Sequence, residues 1–149
     1  MPNTQQIGKA GEPLLQYRLL VQGIESAPMT TDAGIDLVVY SPRAQSSITV
    51  QVKTNLKPKP GGGKGSPALD WWIPEDCPAD LVALIDLSGE RVWIFRLREI
   101  RTLAQQHPKG RYHLYAYVDP KSLPAKSSRP RADFQFEPYR LENRLRELF

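Results

Sequence analysis

Hydrophobic and polar positions alternate with two distinct periods along the chain. Two nearly continuous apolar runs, "LVALIDL" at 81–87 and "RVWIFRL" at 91–97, flank a polar turn from Ser88 to Glu90. That is the pattern of strands covered on both faces. "RYHLYAYV" at 111–118 reads as a further strand. Upstream, "DAGIDLVVY" and "ITVQVKTN" predict a hairpin over 34–53 that closes near Arg43 and Ala44. Helical spacing takes over elsewhere. Residues 7–23, "IGKAGEPLLQYRLLVQG", predict a helix ending at Gly23, a residue suited to a left-handed C-cap. Proline fits a helix best in its first turn, so Pro13 puts Glu12 at the helix start, above Leu15 and Leu19 on one face. A short helix over 98–107 turns Ile100, Leu103 and Ala104 inward, and a terminal helix over 139–149 does the same with Leu141, Leu145 and Leu148. Trp71 and Trp72, just ahead of the central strands, either pack the core or stack on bases. The resulting fold class is α/β: a mixed central β-sheet starting with the hairpin, flanked by the N-terminal helix and the helix at 98–107, in one domain over 1–149.

Side chains alternate faces along a strand, so Gln51 and Lys53 share one face of the hairpin while Val50 and Val52 take the other. Closure near Arg43 and Ala44 sets Asp36 opposite Gln51. A carboxylate, an amide and an ammonium then converge where one face of a hairpin should be core. The plain alternative is a solvated polar edge, since most charged residues stay exposed. For Glu12 the plain alternative is a helix-start acid complementing the macrodipole.

Composition narrows the setting. The 149 residues suffice for one core. There is no apolar run long enough for a membrane span, and "MPNTQQIGKAGEP" has no signal-peptide core, so the expectation is a cytoplasmic chain with no membrane partner. Cys77 stands alone, which excludes an intrachain disulfide and a cysteine-based zinc site. His107 and His113 lack metal-ligand spacing. The net charge of +4 is unevenly distributed. Lys57, Lys59 and Lys64 occupy the acid-free stretch "LKPKPGGGKGSPA", and Lys121, Lys126, Arg129 and Arg131 a second basic stretch, "KSLPAKSSRPR". Both read as flexible loops, at about 56–68 and 120–132, suited to following phosphates without reading sequence. "PGGGKGS" is no P-loop: Lys64 is followed by Gly65, and Pro58 stands where the first glycine is needed.

The order of these features resembles the PD-(D/E)XK, or restriction-endonuclease-like, nuclease superfamily. The matching residues are Gly8 and Glu12 on a helix, then Gly34, Asp36 and Leu37, then Gln51, Val52 and Lys53, with the apolar strands and helix to about residue 107 following in the family's order. Within that superfamily the chain is similar to small bacterial members whose third motif is Q-x-K. The resemblance implies a Mg²⁺-dependent DNA endonuclease, with Mn²⁺ as a substitute, and a catalytic set of Glu12, Asp36, Gln51 and Lys53. Asp36, the Gln51 amide oxygen, the Val52 carbonyl and Glu12 would hold the metal, and Lys53 would orient the attacking water or stabilise transition-state charge. Asp32 is a weaker candidate, better read as a turn acid. Gln51 departs from the commoner Glu and removes one charge from the ligand set. DNA is favoured over RNA by the resemblance alone; the oligomeric state stays open, although cutting both strands with one site per chain would favour a homodimer. Two other readings stay open: a non-catalytic nucleic-acid- or protein-binding module retaining the nuclease fold, and an immunity or antitoxin-like partner protein.

Overall fold

The first helix begins earlier than Pro13 implies. In the computed structural model, which describes residues 1–31, 33–63, 65–119, 121 and 129–149, α1 spans Thr4–Leu20. Asn3 and Gln6 cap it reciprocally: the Gln6 N–H donates to Asn3 Oδ1, and the Asn3 N–H to Gln6 Oε1, each at 2.9 Å. This capping box satisfies two orphan donors at once and fixes the start. Pro13 and Glu12 therefore lie in the helix interior, not in its first turn. Pro13 denies the Lys9 carbonyl its usual partner but sits on the exposed side, where water can take that role. The C-terminal end matches expectation: Gly23 has φ +79°, and the N–H of Ile24 donates to the Leu19 carbonyl at 3.0 Å.

The remaining elements are β1 (Ser26–Pro28), β2 (Leu37–Ser41), β3 (Ser46–Asn55), β4 (Lys59–Pro60), β5 (Pro67–Pro74), β6 (Leu81–Asp86), β7 (Arg91–Arg96), α2 (Leu97–Leu103), β8 (Arg111–Tyr117) and α3 (Leu141–Leu148). They form a mixed five-stranded sheet in the order β1-β2-β3-β6-β7 and a three-stranded sheet in the order β4-β5-β8. Among the described strands only β3 and β6 pair in parallel; the other neighbouring strands are antiparallel. Both faces of the larger sheet are covered. One face packs Leu37, Val50, Val52, Ala83 and Ile94 against Leu15 and Leu19 of α1 and Leu141 and Leu148 of α3. The other packs Val82, Leu84, Trp93 and Phe95 against Ile100 of α2 and against Leu69, Trp71, Ile73 and Leu114 of the smaller sheet.

Four further elements differ from the sequence reading. The stretch at 56–68 is not simply a loop: it contains β4 and a 3-10 turn at Gly61–Gly63 and runs into β5, so Lys59 is a strand residue paired with Ala68. Trp71 belongs to the core, on a strand that the sequence did not disclose. The helix expected over 98–107 stops at Leu103, and the terminal helix starts at Leu141 after a 3-10 segment, Asp133–Tyr139. Among the described residues no helix is long and apolar enough to cross a membrane.

Candidate active site

The hairpin register is the one the alternation predicts. Leu37 pairs with Val50 and Ser41 with Ser46, leaving 42–45 as the turn, and the Asp36 N–H donates to the Val50 carbonyl at 2.9 Å. Past that bond β2 no longer covers β3, and the Asp36 side chain takes over. Its Oδ2 accepts the Val52 backbone N–H at 2.7 Å, a position otherwise filled by a ladder carbonyl. The carboxylate therefore lies within the plane of the sheet, at the gap where two strands part, rather than on the same face as Gln51 and Lys53. A residue's N–H and C=O leave an extended strand on the same side, so the Val52 carbonyl also faces this gap.

Glu12 reaches the gap from α1. It is buried, at 7% exposure, and close enough to Asp36 for the two carboxyl groups to interact. Loss of solvation through burial and the neighbouring Asp36 push the Glu12 carboxyl above its ordinary value, partly opposed by Lys9, whose Nζ lies 3.3 Å from both carboxylate oxygens. Close packing of α1 on β3 makes this reach possible. A Cβ on Gly11 would lie 2.0 Å from Thr54 Oγ1, whereas a Cβ on Gly8 would meet nothing within 4 Å. The glycine that seats Glu12 is thus Gly11, and Gly8 contributes its carbonyl, which accepts the Thr54 hydroxyl at 3.4 Å.

Gln51 is buried, and its Oε1 accepts the Cys77 thiol at 2.9 Å. Burial pushes the Cys77 thiol up, so it stays protonated and remains a donor. Lys53 is half-buried on the Cys77 side and acts electrostatically on that thiol. Gly34 brings the Cys77 loop against the strand bearing Asp36: it has φ +85°, and a Cβ there would lie 2.8 Å from Pro78 Cδ. Sequence reasoning gave Cys77 no part in the site and passed over Gly11 and Lys9. Cys77 touches the site only through a contact spanning 26 residues, which no local pattern signals.

The structure thus brings Glu12, Asp36 and the Val52 backbone to one gap, with Gln51 and Lys53 on the adjoining strand, toward Cys77. Among the described residues, no group of three or more His, Cys, Asp or Glu side chains could hold a metal ion. A donor set here consists of two carboxylates completed by an amide and a backbone carbonyl. The buried Glu12 and the partly buried Asp36 carboxylates repel each other, and a hard dication with oxygen ligands would relieve that repulsion, so these residues fit Mg²⁺ in chemistry with a reduced ligand charge.

Lys57 and Lys59 are exposed near β4, and Lys121 is exposed beyond β8. Arg129 donates to the Ala104 carbonyl, and the Arg131 carbonyl accepts the Tyr117 N–H at 2.7 Å. Asp32, Lys64 and Lys126 fall outside the described residues. His107 and His113 bond to Glu75 and Asp70 at 2.9 and 3.0 Å.

The Glu12 environment has a testable pH consequence. Because its carboxyl is raised in the folded state, that state binds the proton more tightly than the unfolded chain does. Metal-free stability is therefore favoured below the ordinary carboxylate range and declines as pH rises through the raised value. Glu12→Gln is expected to raise the melting temperature in EDTA at neutral pH, with the difference from wild type vanishing in acid. Thermal denaturation from pH 4 to 8 checks this, and a variant less stable at neutral pH would mean that the Lys9 pair outweighs burial.

Comparison with solved structures gives the fold a precedent. A bacterial homing endonuclease, I-Ssp6803I, superposes with a TM-score of 0.60 over 95% of this chain and 90% of its own, at 17% sequence identity. That likeness establishes a shared fold and agrees with the restriction-endonuclease-like core expected from the sequence. No protein-family model and no curated protein matches the chain.

Proposed function

We propose that the protein is a metal-dependent nuclease of the PD-(D/E)XK type that hydrolyses phosphodiester bonds in DNA. The observation carrying this reading is the Asp36 carboxylate set into the gap between β2 and β3, with Glu12 against it and Gln51, Val52 and Lys53 on the adjoining strand. The name of the structural neighbour, a homing endonuclease, supports the same class.

Asp36, Glu12, the Gln51 amide oxygen and the Val52 carbonyl would hold Mg²⁺ or Mn²⁺. The bound ion would supply Lewis acidity toward the scissile phosphate and a more acidic attacking water. The protein's own contribution is positional. The Val52 N–H fixes one oxygen of Asp36, and the Glu12 carboxyl lies against the same side chain. The Cys77 thiol orients the Gln51 amide, so its oxygen keeps a defined direction. Lys53, two residues beyond Gln51 and on the same side, would hold the attacking water or offset charge accumulating on the phosphoryl oxygens. Lys57 and Lys59, just past the end of β3, extend a positive surface for the substrate backbone.

The test is incubation of the purified protein with supercoiled, linear, single-stranded and branched DNA in Mg²⁺ or Mn²⁺, with EDTA controls. Metal-dependent cleavage of at least one substrate is expected, and Lys53→Ala should reduce it by on the order of 10²-fold or more with DNA affinity largely retained. Undiminished cleavage by Lys53→Ala would remove Lys53 from the chemistry. A chain that binds DNA but cuts none of these substrates under either metal would leave the binding-module reading in its place.

A further inference from the structure

The outer face of the smaller sheet carries a feature that phosphodiester hydrolysis does not use. Tyr112, Leu114 and Ala116 of β8 face the core, so Arg111, His113, Tyr115 and Tyr117 face outward. Beside them is a groove of about 750 Å³, lined by Lys59, Asp70, Gln106, His113, Tyr115 and Tyr117 among others. Its volume is in the range of small-ligand sites. The Trp72 ring cannot serve it. His113 stacks on Trp72 at 3.9 Å and the Arg111 guanidinium lies 4.1 Å from its centroid, and two groups so close to one centroid must occupy opposite faces. The tyrosines differ: Tyr115 meets Tyr117 edge-on at 5.6 Å and 76°, and His113 at a 55° tilt, so neither contact covers a tyrosine face by stacking.

The groove's polar groups point to a base rather than a phosphate. Asp70, whose side chain is 43% exposed, bonds His113 Nε2 at 3.0 Å and still presents carboxylate to the groove. A carboxylate repels a phosphate but accepts from the amino and imino groups of base edges. Cations stand at the ends instead. Lys59 pairs with Ala68, which pairs with Tyr117, whereas Arg111 lies beyond His113 at the other end. Rings between cations are the arrangement that holds a single strand, with bases stacked and the backbone neutralised. The groove also adjoins the candidate active site. Asn55 follows Lys53 by two residues on the same face of β3, a rise of about 7 Å, and its Nδ2 donates to the Asp70 carbonyl at 2.6 Å.

We propose that this groove takes unpaired bases on Tyr115 and Tyr117, from the strand whose backbone passes Asp36, so that the substrate is DNA with a single-stranded segment beside the scissile phosphate. The proposal rests on the nuclease reading for its link to cleavage but not for binding. Binding is therefore measured in EDTA, by fluorescence anisotropy, with labelled oligo(dT) and an abasic strand of equal length and charge. Oligo(dT) should bind at least tenfold more tightly than the abasic strand. Tyr115→Ala and Tyr117→Ala should each weaken oligo(dT) binding by about 5- to 100-fold while leaving the abasic strand's affinity unchanged. Tyr115→Phe, which keeps the ring, should preserve the preference. Equal affinities for the two strands on the wild-type protein would overturn the proposal whether or not the variants fold. So would unchanged oligo(dT) binding in a folded Tyr115→Ala, Tyr117→Ala double variant. The nuclease reading fails separately: a base preference without cleavage of any DNA in Mg²⁺ keeps the groove and removes the active site, and cleavage without a base preference does the reverse.

Discussion

Asp36→Asn should lower metal-dependent DNA cleavage by on the order of 10³-fold or more while leaving the protein folded. Asparagine keeps an oxygen that can accept the Val52 N–H, which Asp36 Oδ2 now accepts at 2.7 Å, so the strand gap retains its closing bond. What disappears is the negative charge beside Glu12. Asp36 raises the Glu12 carboxyl, so the substitution should also relieve repulsion and leave the metal-free protein at least as stable as wild type. Asp36→Ala removes the acceptor as well. Leaving a buried backbone N–H unpaired costs about 1–3 kcal/mol, so Ala should be less stable than Asn although both are inactive. Cleavage rates in Mg²⁺ together with urea denaturation of both variants separate the two roles. If Asn cleaves at the wild-type rate, Asp36 is a backbone cap with no part in the chemistry.

How much of this site the sequence disclosed depends on the range of the interaction that fixes each part. The β2–β3 register is local: a short polar turn and strict alternation leave one pairing that buries Val39, Val50 and Val52 together, and a slip of one residue would turn them outward. Asp36 was therefore placed opposite Gln51 correctly. The apolar runs of β6 and β7 were equally plain, because a strand covered on both faces has few polar positions to disguise it. β5 was not plain. "PALDWWIP" begins and ends in proline and becomes a strand through β8, 37 to 49 positions away in sequence, where Ile73 meets Tyr112 and Ala68 meets Tyr117. The start of α1 departs from the sequence reading, which placed Pro13 in the first turn: the reciprocal Asn3–Gln6 cap satisfies two donors, whereas a solvent-facing proline forfeits one bond. Choosing Gly8 over Gly11 followed from motif spacing. Which glycine faces Thr54 depends on how α1 rotates against β3, and that is set by the whole core.

Gln51→Glu tests the departure from the commoner motif and should act in opposite directions with and without metal. A third carboxylate would join Glu12 and Asp36 in a setting where Gln51 is only 6% exposed. Without metal, like charges this close cost on the order of a few kcal/mol, and burial adds to the penalty. The new carboxyl should titrate high, and the melting temperature in EDTA should fall as pH rises above the ordinary carboxylate range. The Cys77 thiol that now donates to Gln51 Oε1 can still donate to a carboxylate, so the side chain keeps its orientation and the change is one of charge alone. With Mn²⁺ or Mg²⁺ the added charge becomes attraction, and affinity should rise by about tenfold or more. The rise in melting temperature from EDTA to Mn²⁺ should then exceed the rise that the metal gives wild type. Calorimetric titration with Mn²⁺ and paired melting curves in EDTA and Mn²⁺ give both signs. Unchanged or weaker Mn²⁺ affinity would mean that Gln51 faces Cys77 instead of the ion, leaving Glu12, Asp36 and the Val52 carbonyl as the donor set.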